Sequence, residues 1–468
     1  MLSAQLKSSR AQDRQADSAL AIWSAGVESV LPVNVIPRSL AATGQGLIIG
    51  SRLLPVADFE RVYVFGAGKA GAAMAVEVEN ALRGSRYWDG LRGRVNVPGS
   101  DVTLPQTNKI ELQVARPAGH NLPTEAGRIA TGLMIEDLGN LDQNTIALGL
   151  FSGGGSALMV QPREGVGLDQ LVALTKFLQD AGATIHELNG VRSWLSQEKA
   201  GGLARLCNAG RIETLIISDV VGDDLGVIAS GPCFASDVTA RQAHDCLAHF
   251  VGAAQGNVPE GVTKSLQFIF KLADDGAVHP APGGHVRNNL IATNAVATAA
   301  AQKKAEDLKY RVVMFGSTNQ GDAYSGGRQF ANLCQEFRER GGRWCVISGG
   351  EPTLVVNAKR PAGCRGGRNQ AFALAALDEL WNVRGVDLRG MAILAGGTDG
   401  EDGPCDVAGA VVTQEVLTAA HDQQLDLDGY LTNNDEYSFF ERSGGHFTTG
   451  GGTNTNVADL RVACIDAE

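Results

Sequence analysis

Short glycine clusters close one apolar stretch after another along this chain. Residues 62–65 run into Gly66-Ala-Gly-Lys-Ala-Gly71, 146–151 into Ser152-Gly-Gly-Gly-Ser156, and 214–217 into Ser218-Asp-Val-Val-Gly222. Fifty-nine of the 468 residues are glycine, against an average of about 7 % in globular proteins. Gathered at the ends of apolar runs rather than spread as a linker, they mark sharp turns after strands and places where backbone can approach an anion. Each run is followed by a helical pattern, and strand, glycine turn, helix repeated in that order is the grammar of an α/β fold with a parallel sheet.

The chain is long enough for two large domains. Residues 15–50 read as helical material ending near Pro32 and Pro37. Between about 237 and 287 the glycine clusters stop, polar residues rise, and His279-Pro-Ala-Pro-Gly-Gly284 reads as a surface loop, so the boundary is placed there. A second α/β series follows, with strands expected at 290–293, 311–315, 344–348, 391–395 and 460–465. The expected architecture is two-lobed, with a Rossmann-like parallel-sheet domain over 1–284 and a smaller α/β domain over 285–468.

Forty basic and 51 acidic side chains give a formal net charge of -11, which disfavours binding to a phosphate backbone. No apolar run approaches the about 20 residues of a membrane span, and charges interrupt what would be a signal core, so a cytoplasmic protein is expected. The eight cysteines form no CxxC pair, which points to reduced thiols rather than a zinc site or a disulfide framework.

Gly66, Gly68 and Gly71 have the spacing of a dinucleotide fingerprint, but no acidic residue ends a strand about 20 residues on, as a nicotinamide site requires. Lys69 fits phosphate better: among backbone amides at a helix start, its charge can follow a migrating phosphoryl group. Gly153, Gly154 and Gly155 can turn amides toward one anion, with Ser152 and Ser156 as added hydroxyl donors. Neither serine lies in GxSxG, so a hydrolase elbow is not indicated. Asp219, Asp223 and Asp224 end the next strand; Asp219 is the first Mg2+ candidate and Asp224 the second, although Asp223 or Asp224 can equally cap the following helix. Arg368, in Arg365-Gly-Gly-Arg-Asn-Gln370, can serve as an internal arginine finger or merely cap its turn. The loop 395–406 carries Asp399, Glu401, Asp402 and Asp406 without EF-hand spacing, and Asn433-Asn-Asp435 and Thr453-Asn-Thr-Asn456 fit Asx turns.

As a set, these segments resemble the class II glycerate kinases, the family whose C-terminal lobe is the MOFRL domain and which includes the animal-type D-glycerate kinases. The resemblance runs through FGAGKAG at 65–71, AGHNLP at 118–123, FSGGGSAL at 151–158, GATIHELN at 182–189, LSQEKAGGLA at 195–204 and ISDVVGDDLGVIASGP at 217–232. It continues through SGGEPT at 348–353, RGGRNQ at 365–370, AGGTDGEDGP at 395–404, NND at 433–435 and TNV at 455–457. It implies ATP- and Mg2+-dependent phosphorylation of the 2-hydroxyl of D-glycerate, in a cleft between the two lobes. Carried over residue by residue, it implies Lys69 and Arg368 as the cationic catalytic residues and Asp219 as a third. Gly66, Gly68, Ser152, Gly153, Gly154, Gly155 and Ser156 would bind substrate or nucleotide, together with Lys199, Glu351, Asp399 and Asn434. D-glycerate and ATP are the implied partners, without nucleic acid or membrane, and a homodimer is left open.

The chain departs from the family's pattern at Ser193, where lysine is usual, at Ala200 and Asn454, where glycine is usual, and at Ala371, where glutamate is usual. These departures keep open a catalytically impaired or substrate-shifted relative; a hydroxypyruvate reductase is the remaining alternative.

Overall fold

The computed structural model describes residues 4–6, 13–99, 104–117, 122–254 and 256–467. It contains two compact units, Val35–Ile291 on one side and Met1–Asn34 with Ala292–Glu468 on the other.

In the unit Val35–Ile291, six strands form one sheet: β1 (Arg61–Ala67), β2 (Leu91–Pro98), β3 (Ile110–Arg116), β4 (Thr145–Phe151), β5 (Arg211–Ile217) and β6 (Val286–Ala292). Their order is β6-β5-β4-β1-β2-β3. The pairs β1/β2, β2/β3, β1/β4 and β4/β5 are all parallel. Every residue of β4 and β5 is buried, as expected where helices cover both faces of a parallel sheet. The chain winds outward from β1 to β3, then restarts beside β1 with β4 and winds the other way. That reversal makes the carboxyl ends of β1 and β4 the topological switch point, where open α/β sheets bind ligands.

The expected strands at 62–65, 146–151 and 214–217 fall inside β1, β4 and β5; β2 and β3 carry too many polar residues to stand out in the sequence. Residues 15–50 are not helical throughout. Helices Arg14–Ser29 and Pro32–Ser39 give way to an antiparallel meander at Leu40–Thr43, Gly46–Ile49 and Arg52–Pro55, because the Thr43-Gly-Gln-Gly46 turn reverses the chain between two apolar runs.

The stretch 237–287 is also more ordered than a linker. Helices Ala240–Ala253 and Glu260–Asp274 pack Leu247, Val262 and Ile269 against Leu171, Leu174 and Trp194. His279 is buried and stacks on Trp194 with ring centroids 3.9 Å apart. The compact unit therefore extends to Ile291 rather than ending at 284. Of the AGHNLP segment, residues 118–121 lie outside the described residues.

The second unit is built on a mixed sheet of β7 (Arg311–Met314), β8 (Gly342–Gly350), β9 (Met391–Gly397), β10 (Gly409–Val412), β11 (His446–Thr448) and β12 (Asp459–Ala467), with Gln5–Leu6 added beyond β11. The order is Gln5–Leu6, β11, β10, β9, β12, β8, β7. β12 runs antiparallel to both neighbours, and among the described residues of this sheet only β7 and β8 pair in parallel. Its apolar residues divide by the two-residue period of a strand. Val346, Ile393, Ala395, Ala463 and Ile465 face one core with Phe372 and Leu374. Cys345, Ile347, Ala392, Leu394, Val462 and Cys464 face the other, which is filled by Ile22, Trp23 and Val27 of helix Arg14–Ser29.

This second face explains why residues 1–34 group with the C-terminal half instead of continuing the N-terminal domain, as a division at 284 assumes. The helix supplies Ala16, Ala19, Leu20, Trp23 and Val27 at three- and four-residue spacings. Trp23 is fully buried, packs edge-on against Phe447 at 5.1 Å and donates its indole N–H to Gly396 O at 3.4 Å.

All eight cysteines are free. Among the described residues no single helix is long and apolar enough to cross a membrane. Trp23→Ala is expected to cost the second unit about 3 to 5 kcal/mol, read as faster amide hydrogen exchange in β9 and β12 with β1 and β4 unchanged; equal acceleration in both sheets would overturn this division of the fold.

Candidate active site

At the switch point the turns after β1 and β4 interlock through their backbones. Gly68 has φ +153° and approaches β4 so closely that a Cβ there would lie 2.0 Å from Ser152 Oγ. Lys69 N–H donates to Gly153 O at 2.8 Å, and Ala70 N–H donates to Ser152 Oγ at 3.0 Å. Lys69 itself is partly exposed. Gly154, exposed and left-handed at φ +77°, is flanked by two cationic side chains: a Cβ there would lie 3.2 Å from an Arg116 guanidinium nitrogen and 3.6 Å from Lys69 Cγ.

The two serines of this turn are not the paired anion donors that their spacing invites. Ser152 is fully buried and its Oγ accepts the Ala70 amide, so it secures the start of helix Gly71–Leu82. The Gly155 amide is committed inside the turn, to Ser152 O at 3.2 Å. Ser156 remains partly exposed, but its Oγ lies 2.7 Å from Ser230 Oγ and 3.3 Å from Lys199 Nζ.

Lys199 is 1 % exposed and pairs with Glu198, equally buried, at 3.3 Å. Burial, reinforced by the neighbouring Arg192, pushes its pKa down to about 8 against the pull of Glu198. Arg192 donates to Ser156 O at 3.4 Å. The structure thus brings Gly66, Gly68, Lys69, the triple glycine, Ser156 and Lys199 to one end of the sheet. It adds Arg116, Asn189, Arg192, Glu198 and Ser230, which sequence reasoning did not select. All but Arg116 and Arg192 stand inside quoted motif segments, but as ordinary polar residues whose convergence only the fold reveals.

Asp219 follows β5 and is partly exposed. Asp224 Oδ1 accepts Gly226 N–H at 2.8 Å, its carbonyl accepts from Val227 and Ile228, and its Oδ2 lies 3.9 Å from His186 Nδ1, so this residue caps a turn. Among the described residues no group of three or more His, Cys, Asp or Glu side chains is placed to hold a metal ion.

In the second unit, Arg368 opens helix Arg368–Asp378 and is gripped by two carboxylates. Its Nε and one terminal nitrogen donate to Asp459 at 2.8 and 3.0 Å, and the other terminal nitrogen donates to Glu351 Oε1 at 2.7 Å. Burial alone would lower the Arg368 pKa, but Asp459 and Glu351 more than offset it and the net shift is upward. Burial raises the Glu351 carboxyl despite its arginine partner. Asp459 is fully buried and is held by Asn369 and Arg461 as well.

The helix has no cap of its own at Gly367. Asp402 reaches in from the 395–406 loop and takes the amides of Asn369 and Gln370 at 3.0 and 2.9 Å, together with both side-chain amides. Its carboxyl is pushed up to about 6 by burial. Asp459 and Arg461, which motif reading missed, and Asp402, which it read only as one of four acidic residues in the 395–406 loop, therefore hold Arg368 and the start of its helix; an acidic residue two before an arginine in a terminal strand gives no signal by itself.

Asp399 lies beside this cluster, its Oδ1 accepting Glu401 N–H at 3.1 Å. Asn434 belongs to a separate network. Its side chain accepts from Asn357 N and donates to Tyr324 OH, both at 2.7 Å, and Tyr324 contacts Glu436, whose carboxyl burial pushes up to about 7. Asn434 thus secures the loop that leads to Arg368.

The chain matches a domain of unknown function, DUF4147, over residues 18–267 and the MOFRL family over 344–459. It is 33 % identical to the human protein named glycerate kinase, over 96 % of this chain and 92 % of that one. The Pyrococcus horikoshii glycerate 2-kinase is 32 % identical, over 87 % of this chain and 88 % of its own. The crystal structure of a Thermotoga maritima glycerate kinase superposes with a TM-score of 0.78 at 29 % identity, over 96 % and 99 % of the two chains. The chain belongs to the glycerate kinase family.

The four departures named from the sequence fall in different local settings. Ala200 and Asn454 take left-handed backbone, φ +50° and +61°, at positions where glycine is usual; asparagine tolerates this region better than alanine does. Ser193 is buried, bonded to Gly190 O and facing His279 Nε2 at 3.0 Å. Ala371 is wholly buried in the Arg368 helix.

Asp459→Asn leaves Arg368 and Arg461 short of a buried counter-charge and is expected to destabilise the second unit by about 3 to 5 kcal/mol, measured by urea denaturation. Glu436 has a folded pKa near 7 against 4.5 unfolded. Its contribution is fully present below pH 4.5 and is lost as pH rises through 7. Glu436→Gln is therefore expected to gain on wild type in melting temperature from pH 5 to pH 8, by the equivalent of about 1 to 3 kcal/mol.

Proposed function

We propose that this chain transfers the γ-phosphoryl group of ATP to D-glycerate, giving 2-phosphoglycerate. The observation that carries this is Lys69: its amide is fixed to Gly153 O, and its side chain stands with Arg116 beside the exposed Gly154 turn at the carboxyl ends of β1 and β4. A lysine so placed meets phosphate where a parallel sheet binds ligands. The same strands speak against a nicotinamide-dependent hydroxypyruvate reductase. β2 ends in Asn96-Val-Pro98, with Asn96 buried and bonded to Thr131 and to Leu158 O, so among the described residues the strand end offers a ribose no carboxylate.

Phosphoryl transfer asks the protein chiefly for positioning and charge neutralisation. Lys69 serves as a mobile point charge on the transferred phosphoryl oxygens. Arg368 commits three of its five N–H donors to Asp459 and Glu351, which fixes the guanidinium plane and leaves two for an anionic group. Mg2+ keeps several waters and needs only one or two carboxylates. Asp219, partly exposed just after β5, is the carboxylate we assign to it, with Asp224, whose Oδ1 takes Gly226 N–H, as the second candidate. Held there, Mg2+ would supply neutralisation of phosphate charge.

Ser193 is buried with its hydroxyl bonded and Ala371 is buried, so neither departure leaves an unpaired polar group, and the proposal is an active enzyme. The proposal includes a cytoplasmic setting, small-molecule partners only, and a homodimer as the assembly to test by sedimentation.

Purified protein with D-glycerate, ATP and Mg2+ is expected to release ADP and yield a product that enolase consumes directly; the 3-phosphate isomer would accumulate instead. Lys69→Ala is expected to lower kcat by about 100-fold or more with KM changed only a few-fold. An unchanged kcat would remove Lys69 from the transition state.

A further inference from the structure

Ser156 sits at the head of a chain of hydrogen bonds whose direction can be fixed by counting protons. A serine hydroxyl donates once and can accept twice, and a lysine ammonium donates three times. Lys199 can only donate, and it does so to Ser156 O and Ser156 Oγ, each at 3.3 Å, while its charge is paired with Glu198 at 3.3 Å. At the far end, Ser230 Oγ gives its one proton to Asn189 Oδ1 at 3.0 Å. The 2.7 Å contact between the two serines must then be donated by Ser156. Ser156 accepts from Lys199, donates to Ser230, and retains one lone pair on a partly exposed residue beside the glycine turn.

The backbone around the chain is built to hold that order. Ala200, Ala229 and Ser230 all adopt left-handed conformations, at φ +50°, +51° and +64°, a region that strains any residue with a Cβ. The two strained segments are tied together by Ala200 N–H to Ser230 O at 3.1 Å and by Gly201 N–H to Gly231 O at 2.6 Å. Strain kept in place by buried, paired groups is a mark of preorganisation.

We infer that Ser156 is a substrate-reading residue that accepts a hydrogen bond from a hydroxyl of the acceptor, with Lys199, Ser230 and Asn189 as the positioning residues that keep its own proton turned away. A carboxylate or phosphate at neutral pH offers acceptors almost alone and gains little from such a group. On a hydroxycarboxylate anion the hydroxyls are the only donors, so Ser156 distinguishes the substrate from the same acid without its hydroxyls. This deepens the kinase assignment and rests on it.

The decisive comparison pairs D-glycerate with propionate, which keeps the carboxylate and has no hydroxyl. The D-glycerate KM and the propionate inhibition constant are measured for wild type, Ser156→Ala, Ser156→Thr and Ser230→Ala. Ser156→Ala and Ser230→Ala are expected to raise the D-glycerate KM about tenfold, the worth of one hydrogen bond, and to leave propionate inhibition unchanged. Ser156→Thr, which keeps a hydroxyl, restores the discrimination. If Ser156→Ala weakens both ligands alike, or neither, the inference is overturned, and Ser156→Ala decides alone should Ser230→Ala not fold. A wild type that releases no ADP with D-glycerate overturns the kinase assignment and this inference together. An active wild type whose discrimination survives Ser156→Ala overturns only the latter.

Discussion

The candidate site depends on how closely two strand ends can approach. β1 and β4 run side by side, and their turns leave no room for side chains where they meet: a methyl on Gly66 would fall 2.0 Å from Leu150 O. Only with that space empty does the Lys69 amide reach Gly153 O and the Ala70 amide reach Ser152 Oγ. These two bonds fix where Lys69 leaves the backbone, so a long, flexible side chain begins from a rigid point. The glycine clusters in the sequence are the visible trace of this close approach.

The second unit solves the complementary problem, holding a rigid cation, by burying its counter-charges. Asp459, Asp402 and Arg461 are nearly inaccessible, and removing charges from water is favourable only when geometry and hydrogen bonds offset the desolvation. Here they do: Asp459 serves Arg368, Asn369 and Arg461, and Asp402 takes four N–H donors at the helix start. Arginine suits this place because its planar fork can be gripped on one side and still present donors on the other. Lysine could not be oriented in that way.

What the sequence reveals and conceals follows from how local each cause is. β1, β4, β5, β7, β8 and β9 announce themselves as apolar runs leading into glycine, and Lys69 and Arg368 stand inside such turns; β10 and β11 are too short to stand out, and the run at 290–293, read as the first strand of the second series, overlaps the end of β6 in the first sheet. β2 and β3 are less visible because Arg92, Arg94, Glu111 and Gln113 interrupt them, with Arg94 bound to Glu111 across the strand pair. The placement of helix Arg14–Ser29 could not be read locally at all. Its apolar stripe fits either half of the chain by composition, and only the matching face of β9 and β12, more than 360 residues away, decides it. The roles of Asp459 and Asp402 are hidden for the same reason, since their partners lie 91 and 33 positions away.

A motif names the residue types at a site but leaves the sense of their hydrogen bonds undetermined. Read as letters, Ser152-Gly-Gly-Gly-Ser156 offers two hydroxyl donors to an anion. In the fold Ser152 accepts from a backbone amide and is sealed from solvent, while the proton of Ser156 is drawn inward by a neighbour whose own proton is already committed to Asn189. A hydroxyl can play donor or acceptor at almost no cost in water, but a buried chain with a fixed donor at one end and a fixed acceptor at the other removes the choice. Lys199 and Asn189 are those two ends. The conversion of an adaptable serine into a one-way acceptor therefore lies in residues 33 and 43 positions from it, and in the left-handed turns at Ala200 and Ser230 that keep both ends in place.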